Sequence, residues 1–194
     1  KIRSLTHNLN SKALDLNHSI NWLRAGKVLV HPTESIWGLG CDALNESAIN
    51  IIFKLKKRPS NKNLILLVDS YFSIKDFVIN LNSNQEKLIK EKWPGPYTFL
   101  FTYNNNLPSH LMNDTGKIAI RVSNHLPIKH LLEEYKGFMV STSANLSGQP
   151  NINCPNKILD TFADDDMAYY DESLGDQSNP SQIIDLETGI IIRE

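Results

Sequence analysis

The sequence predicts an α/β fold in which helices flank a mixed β-sheet. Segments with helical periodicity alternate along most of the chain with short apolar runs that are typical of buried strands. Near the end, two apolar runs flank Glu187-Thr188-Gly189, which predicts a hairpin and therefore antiparallel pairing within the sheet. The 194 residues, 41% of them hydrophobic, are enough for one globular domain with its own core.

The first predicted helix covers residues 11–25, and the first predicted strand covers residues 28–30. The helix repeats apolar residues at the spacing of one helical face, and Gly26 is a typical residue for the position after a helix. The strand is a continuous apolar run that leads into Pro32, as expected for a strand buried on both faces.

Four more helical segments and six more strands are predicted. Apolar residues at helical spacing, bounded by prolines or glycines, indicate helices at residues 48–55, 73–91, 127–135 and 155–162. Polar residues interrupt the second of these at 81–84, so it is one broken helix or two short ones. Apolar, β-branched and aromatic runs indicate strands at residues 64–68, 97–103, 118–122, 138–142, 182–186 and 190–193.

Charge balance and cysteine usage argue against several classes of protein. The 20 basic and 21 acidic residues give a net charge of -1, which provides no whole-molecule attraction to nucleic acid or to an anionic membrane. Cys41 and Cys154 have no zinc-ligand spacing, so we expect two reduced thiols and no metal site. No apolar run suits a signal peptide or a membrane span, and we expect a cytoplasmic protein.

Residues 31–42, HPTESIWGLGCD, form the first segment that packing alone does not explain. The segment runs from a strand into Pro32, then into hydroxyls and the Glu34 carboxylate, and then into two glycines. The glycines would let backbone N–H groups approach an anion, although an ordinary tight turn explains the same residues. His31 is the one histidine of interest, since no histidine belongs to a recognisable catalytic triad.

Residues 54–62 place five cations within nine positions. They form either a phosphate-binding cluster, with Arg58 as a bidentate fork and lysines as point charges, or a solvated helix end. In the second case the cations only complement the helix dipole. No Gly-Lys-Ser/Thr follows a strand, so the segment is not a P-loop.

Three further segments combine polarity or rigidity with a strand. Residues 141–148, STSANLSG, present a cluster of hydroxyls and one amide, which favours a role in binding phosphate or ribose over a simple helix cap. Arg121 follows apolar neighbours in a strand, where it needs a carboxylate or phosphate partner unless it faces solvent. Residues 93–98, WPGPYT, predict a rigid corner that shapes a pocket wall.

These segments, in this order, resemble the YrdC-like family of threonylcarbamoyl-AMP synthases. The resemblance rests on HPTESIWGLGCD (31–42), LKKRP (55–59), WPGPYT (93–98), AIRV (119–122), STSANLSG (141–148) and NPSQI (179–183). Each motif is weak by itself, but the ordered set is specific and spans nearly the whole chain. The resemblance implies a twisted, open, mixed sheet with a central cleft, and a short, single-domain form covering residues 1–194.

The resemblance also implies which residues bind the substrates. The family's Lys-x-Arg and Ser-x-Asn signatures match Lys56, Arg58, Ser143 and Asn145, which would bind the nucleotide, with Lys56 and Arg58 as the catalytic pair. The family's threonine-binding positions match Thr33, Arg121 and Ser141. Three residues depart from the family pattern. His31 and Trp37 replace other aromatic residues, which keeps a ring at each position, and Ser123 replaces a frequent proline.

The activity implied is that of a nucleotidyltransferase. L-threonine, bicarbonate or CO2, and ATP would give threonylcarbamoyl-AMP and pyrophosphate, for N6-threonylcarbamoyladenosine in tRNAs that read ANN codons. Mg²⁺ would arrive with ATP, since no dedicated carboxylate cage is visible. The adenylate would pass to later proteins of tRNA threonylcarbamoyl transfer, and residues 60–63 would form a lid over the cleft.

Two alternatives remain open at this point. The basic cluster would also suit a non-catalytic module that binds tRNA or double-stranded RNA, although few aromatic residues lie near Lys56 and Arg58. A carbamoyl-transfer domain detached from a larger hydrogenase-maturation protein would share the fold. The chain lacks the zinc-finger and acylphosphatase segments that such a protein carries, which argues against the second alternative.

Overall fold

The computed structural model describes residues 12–58 and 64–194, which form one ten-stranded sheet with helices on both faces. The predicted α/β class and mixed sheet are confirmed. The strands are β1 (Ala13–Leu14), β2 (Val28–His31), β3 (Gly38–Asp42), β4 (Ile65–Leu67), β5 (Tyr97–Thr102), β6 (Lys117–Arg121), β7 (Met139–Ser143), β8 (Met167–Tyr170), β9 (Gln182–Asp185) and β10 (Ile191–Arg193). The helices are α1 (Leu16–Arg24), α2 (Glu46–Leu55), α3 (Ser83–Lys92), α4 (Leu126–Tyr135) and α5 (Pro155–Phe162).

The sheet brings distant parts of the chain together at its centre. The spatial order of the strands is β1-β8-β2-β3-β7-β4-β6-β5-β9-β10. The pairs β2–β8, β4–β6 and β5–β9 are parallel, whereas β2–β3, β3–β7, β4–β7 and β5–β6 are antiparallel. β7, which carries Ser141 and Ser143 of the STSANLSG motif, therefore lies between β3 and β4. The predicted hairpin of β9 and β10 is confirmed.

Two apolar cores cover the two faces of the sheet. On one face, α1 and α4 pack against the side chains of Leu29, Leu67 and Met139. On the other face, α2, α3 and α5 pack in a larger cluster that includes Val30 and Val140. Adjacent strand residues such as Leu29 and Val30 thus point to opposite sides, as the pleat requires. Within residues 12–58 and 64–194, no helix is long and apolar enough to span a membrane.

Local signals in the sequence located several helix ends correctly. Gly26 follows α1 with a φ of 74°, as predicted. The predicted start of that helix was wrong, because Ala13–Leu14 form β1 and Asp15 is the N-cap, which accepts the backbone N–H of His18. α4 and α5 each carry a proline in the first turn, and the bounds of α5 are those predicted. Residue 11, Pro59 and the predicted lid at 60–63 lie outside the described residues.

The segment predicted as a broken helix at 73–91 differs from that expectation. Two short 3-10 turns, Tyr71–Ser73 and Lys75–Phe77, precede α3. The polar interruption is the start of α3, where Asn82 and Gln85 form a reciprocal capping box with each other's backbone N–H. The polar residues that predicted a break in a helix are therefore the N-terminal cap of α3.

Three strands were not predicted from the sequence, namely β1, β3 and β8. The most informative is β3, because its residues Gly38 and Gly40 were interpreted as part of an anion-binding loop or a tight turn. Both glycines instead pair within the sheet, opposite His31 and Leu29 of β2. A Cβ at Gly38 would lie 2.7 Å from the imidazole of His31, so the glycines provide space for this ring. Glycine is rare in strands, and the pattern therefore gave no strand signal.

Candidate active site

A cavity of about 460 Å³ lies on the sheet face that also carries α1 and α4, but neither helix contributes to its lining. Strand alternation explains which residues reach it. Ser141 and Ser143 share one face of β7, and Ala119 and Arg121 share the same face of β6. Polar side chains thus join apolar ones such as Leu67 and Leu100 in the wall of this cavity. This confirms the predicted cleft.

The lining of this cavity is strongly cationic. Arg58, Arg121 and Arg193 all contribute to it, and no Asp or Glu occurs among its described lining residues. Burial lowers the pKa of Arg58, and burial together with the neighbouring Arg121 charge lowers that of Arg193. Guanidinium groups stay charged in proteins, so three of them around one cavity favour an anionic ligand.

The residues of the two predicted nucleotide signatures contact one another. Lys56 is only 3% exposed, and its ammonium donates to the carbonyl of Ser143, to Ser143 Oγ at 3.4 Å and to Asn145 Oδ1 at 3.2 Å. Ser143 Oγ in turn donates to Asn145 Oδ1 at 2.5 Å. Lys56 and Asn145 lie beside the cavity, and Ser143 joins them to its wall.

Two further features tie the basic cluster to β7. Arg58 Nη1 donates to Thr142 Oγ1 at 3.0 Å, which holds the guanidinium at the cavity. Burial, reinforced by the Arg58 charge, lowers the pKa of Lys56 to about 8. Of the two interpretations of this cluster, a solvated helix end therefore fails for Lys56, whereas Lys54 and Lys57 are exposed.

Arg121 is buried and paired with Glu34. Its Nη2 donates to Glu34 Oε2, while Glu34 Oε1 accepts from Ser123 Oγ at 2.8 Å and from the backbone N–H of Asn124 at 3.0 Å. Burial raises the pKa of Glu34, but the Arg121 charge and the Ser123 hydrogen bond outweigh it and leave the pKa below its usual value. Among the residues that the structure describes, Arg121 Nε is buried without a hydrogen-bond partner. The guanidinium thus retains donors for a second anion.

Ser141 and Thr33 both line the cavity, but their hydroxyls differ in availability. Ser141 Oγ lies 3.0 Å from Nε2 of His31. Thr33 Oγ1 donates to the carbonyl of Ile36 at 2.7 Å and accepts the N–H groups of Ser35 and Ile36. The Thr33 hydroxyl is therefore used to close its own turn, and a role in binding threonine stays a prediction.

Three residues of the site carried no role in the sequence analysis. Arg193 of β10 and Ser181 line the cavity, and Arg193 Nη2 donates to the Ser181 carbonyl at 2.7 Å. Ser181 Oγ also bonds to Thr98 Oγ1 at 2.8 Å. Glu34 was noted only as part of its motif. A cation inside the predicted terminal hairpin was the one available signal for Arg193, and the NPSQI motif was the signal for Ser181.

A second cavity of about 750 Å³ is lined by residues of α3, α4 and the 3-10 turns. None of the seven predicted site residues lines it. Trp93 and Pro94 of the predicted rigid corner contribute to this wall, and Trp93 Nε1 donates to the carbonyl of Tyr97 at 2.7 Å. The corner therefore shapes a pocket wall as predicted, but not a wall of the cationic cavity.

Comparison with known proteins shows which family this chain resembles. A family model described as Sua5/YciO/YrdC, telomere recombination, matches residues 21–194. A threonylcarbamoyl-AMP synthase of Klebsiella pneumoniae is 35% identical over 192 residues, which covers 98% of this chain and 100% of the relative. A protein of the same name from Buchnera aphidicola is 37% identical over 169 residues, covering 86% of this chain and 88% of the relative.

Solved structures give the same result. The P. abyssi Sua5 complexed with L-threonine matches with a TM-score of 0.80 at 27% identity, over 89% of this chain. The present chain spans about half of that protein, 51% of its length. E. coli YciO matches with a TM-score of 0.80 and 27% identity, over 92% of this chain and 88% of YciO. The chain belongs to the Sua5/YciO/YrdC family.

Proposed function

We propose that this chain catalyses the ATP-dependent synthesis of threonylcarbamoyl-AMP from L-threonine and bicarbonate or CO2, with release of pyrophosphate. The observation that carries the proposal is the cationic cavity, with three guanidinium groups and several hydroxyls but no carboxylate among its described lining residues. Such a site suits a polyanion together with a carboxylate. The relatives that bear the name of this activity cover most of the chain, which supports the proposal.

The proposed chemistry needs no protein nucleophile. The threonine amine combines with CO2 to give N-carboxythreonine, and an oxygen of this carbamate attacks the α-phosphorus of ATP. The bond between the α-phosphorus and the bridging oxygen breaks, and pyrophosphate leaves with that oxygen. In-line displacement of this kind depends mainly on positioning and on stabilising the charge that develops on the phosphate oxygens. Fixed cations and hydroxyls are the groups that provide both.

At the nucleotide end, we assign Lys56 and Arg58 to the phosphates of ATP, and Ser143 and Asn145 to the nucleotide. The hydrogen bonds that join Lys56 to Ser143 and Asn145 support a common role. An ammonium that is buried against neutral oxygen atoms gains most from an incoming phosphate, because the phosphate supplies the missing negative charge. Arg193, which lines the same cavity, would add a third cation near the ligand.

At the threonine end, we assign Arg121 to the carboxylate, with Ser141 and Thr33 beside the amino acid. The position of Arg121 in the cavity wall supports this assignment, because a guanidinium has five N–H donors and the pair with Glu34 uses Nη2. Glu34 accepts from Nη2 of the guanidinium and so orients it. Thr33 would contribute through its turn and its apolar methyl group, because its hydroxyl is already used.

The decisive experiment measures pyrophosphate release by the full chain. We expect release from ATP to require both threonine and bicarbonate, because the nucleophile is formed from these two substrates. Omission of either should reduce the rate to the background of ATP hydrolysis, and serine provides a control amino acid that lacks one methyl group. A rate that does not depend on threonine would contradict the proposal. Retention of double-stranded RNA that weakens steeply with salt, without ATP turnover, would support the RNA-binding alternative instead.

ATP affinity should fall as the pH rises through about 8. The pKa of Lys56 is lowered to about 8 by burial, so the free protein loses this charge above that pH. A bound phosphate favours the charged form, so binding takes up a proton, and affinity falls by up to about tenfold per pH unit. The phosphates of ATP are already ionised in this pH range, since the second pKa of a phosphate group is about 6.

Calorimetric titration of ATP between about pH 7 and about pH 9.5 tests this coupling. Lys56→Met is the control, in which the pH dependence should disappear together with the proton uptake. An equal slope in the control variant would assign the dependence to another group.

The remaining partners follow from the proposed reaction. Mg²⁺ would enter with ATP as part of the substrate, and bicarbonate or CO2 would enter with threonine. The adenylate would be consumed by proteins that transfer the threonylcarbamoyl group to tRNA, with or without tRNA contact by this chain. We further propose that residues 1–194 act as one catalytic domain in the cytoplasm.

A further inference from the structure

His31 occupies a buried site directly behind the proposed threonine pocket. Its side chain is 0% exposed and belongs to the last residue of β2. The ring lies over Gly38 and Gly40 of β3, where an added Cβ would approach it to 2.7 Å and 2.9 Å. Both glycines therefore leave space for this imidazole, and Gly40 also leaves space for the Met139 methyl group, 2.8 Å from such a Cβ. Arg121 lines the cavity in front of it, but His31 itself is not part of the wall.

The hydrogen bonds of His31 determine which of its nitrogens carries the proton. Nδ1 lies 3.2 Å from the carbonyl of Pro32, which can only accept, so Nδ1 must donate. Burial, the largest influence, lowers the pKa of His31 to about 4, which keeps the ring neutral. Nε2 of a neutral ring that is protonated on Nδ1 is an acceptor. Ser141 Oγ, 3.0 Å from Nε2, must therefore donate its proton to His31.

A serine hydroxyl has one proton to donate and two lone pairs that accept. Because His31 takes the proton of Ser141, only the lone pairs remain for a ligand in the cavity. We propose that His31 is a positioning residue that makes Ser141 an obligate hydrogen-bond acceptor, so that Ser141 selects the amine or the hydroxyl of the amino-acid substrate and rejects its carboxylate. This inference rests on the proposed function and specifies how threonine is oriented. In this orientation the carboxylate of threonine faces Arg121, and its amine or its hydroxyl faces Ser141.

A double-mutant cycle separates this role from simple packing. His31→Phe removes the acceptor but keeps an aromatic ring, and Ser141→Ala removes the hydroxyl. We expect His31→Phe to raise the threonine KM about tenfold, the scale of one lost hydrogen bond, with the ATP KM unchanged. In the Ser141→Ala background the same substitution should add less than about twofold, because the group through which it acts is absent.

A rescue variant and a competitor complete the experiment. His31→Gln can place its amide oxygen near the position of Nε2, so its threonine KM should stay within about threefold of the parent value. Thermal unfolding of each variant reports whether it folds. L-2-aminobutyrate, which lacks the threonine hydroxyl, serves as competitor. If His31→Phe weakens this competitor as much as threonine, the donor is the amine; if it leaves the competitor unaffected, the donor is the hydroxyl.

The outcomes distinguish this inference from the proposed function. Absence of threonine-dependent pyrophosphate release in the parent protein contradicts the proposed function itself. If the parent is active but the effects of His31→Phe and Ser141→Ala are additive, or if the ATP KM rises equally, the inference about His31 is overturned. Should His31→Phe fail to fold, a threonine KM in His31→Gln that equals that of Ser141→Ala would overturn it as well.

Discussion

Arg121→Ala should reduce kcat/KM for threonine by about 10²–10³-fold, which corresponds to the loss of one partner of a buried charge pair. The substitution removes the guanidinium that we propose binds the carboxylate of threonine. The same substitution should lower the free energy of unfolding by about 3–5 kcal/mol, because it leaves the Glu34 carboxylate buried without its counter-charge. Steady-state kinetics with threonine as the varied substrate and urea unfolding measure the two effects separately.

A second substitution separates the functional loss from the loss of stability. Glu34→Gln removes the buried negative charge but keeps an oxygen that accepts from Ser123 and Asn124. The double variant Arg121→Ala/Glu34→Gln should therefore recover much of the lost stability without recovering the use of threonine. Near-normal threonine kinetics in this double variant would remove Arg121 from the threonine site and leave it a structural role alone.

Lys56→Met should reduce kcat/KM for ATP by about 10²–10³-fold, the scale for removing one preorganised donor from a developing charge. Stability should change by no more than about 1 kcal/mol, because two effects oppose each other. The variant loses the hydrogen bonds to Ser143 and Asn145, but it also removes a buried ammonium. Methionine keeps the length of the apolar stem, so little space is left empty.

The cost of the buried ammonium has a definite pH dependence. The pKa of folded Lys56 lies below its ordinary value, so the folded protein binds fewer protons than the unfolded chain between about pH 8 and about pH 10.5. The charge of Lys56 therefore destabilises the fold below about pH 8, and this cost decreases as the pH rises. Urea unfolding of the parent and of Lys56→Met at the two ends of this range should show the difference.

Lys54→Met is the matched control for Lys56, since Lys54 belongs to the same cluster but is exposed. We expect its ATP kinetics to stay within about twofold of the parent, as is usual for a solvated surface charge. If the two variants lost activity equally, the cluster would act on ATP as a diffuse positive field and not through the specific contacts of Lys56.

Several elements were predictable because their signals are local. Gly26 after α1 and the prolines in the first turns of α4 and α5 each act within one helical turn. Such signals depend on residues three or four positions apart, and the sequence displays that spacing directly. β3 was missed for the opposite reason, because its glycines are explained by side chains on the neighbouring strands, the ring of His31 and the methyl group of Met139.

The chemical inventory of the site was also readable from the sequence, but its pairing was not. The cations of the basic cluster, the hydroxyls at the end of β7 and Arg121 in its strand were all identified as unusual. Glu34 pairs with Arg121 across 87 positions of the chain, and Lys56 reaches Asn145 across 89. No local pattern indicates which of several distant partners a buried charge will meet. The partner of Arg121 therefore required the structure.

By itself, the sequence determined the α/β class, the positions of most helices and strands, and the residue types available for binding anions. The tertiary structure alone decided that Arg193 joins Arg58 and Arg121 at one cavity, that Glu34 holds Arg121, and that His31 orients Ser141. The physical reason is the range of the interactions. Helix caps and turns are short-range, whereas the composition of the cavity follows from the order and register in which the ten strands of the described residues pair.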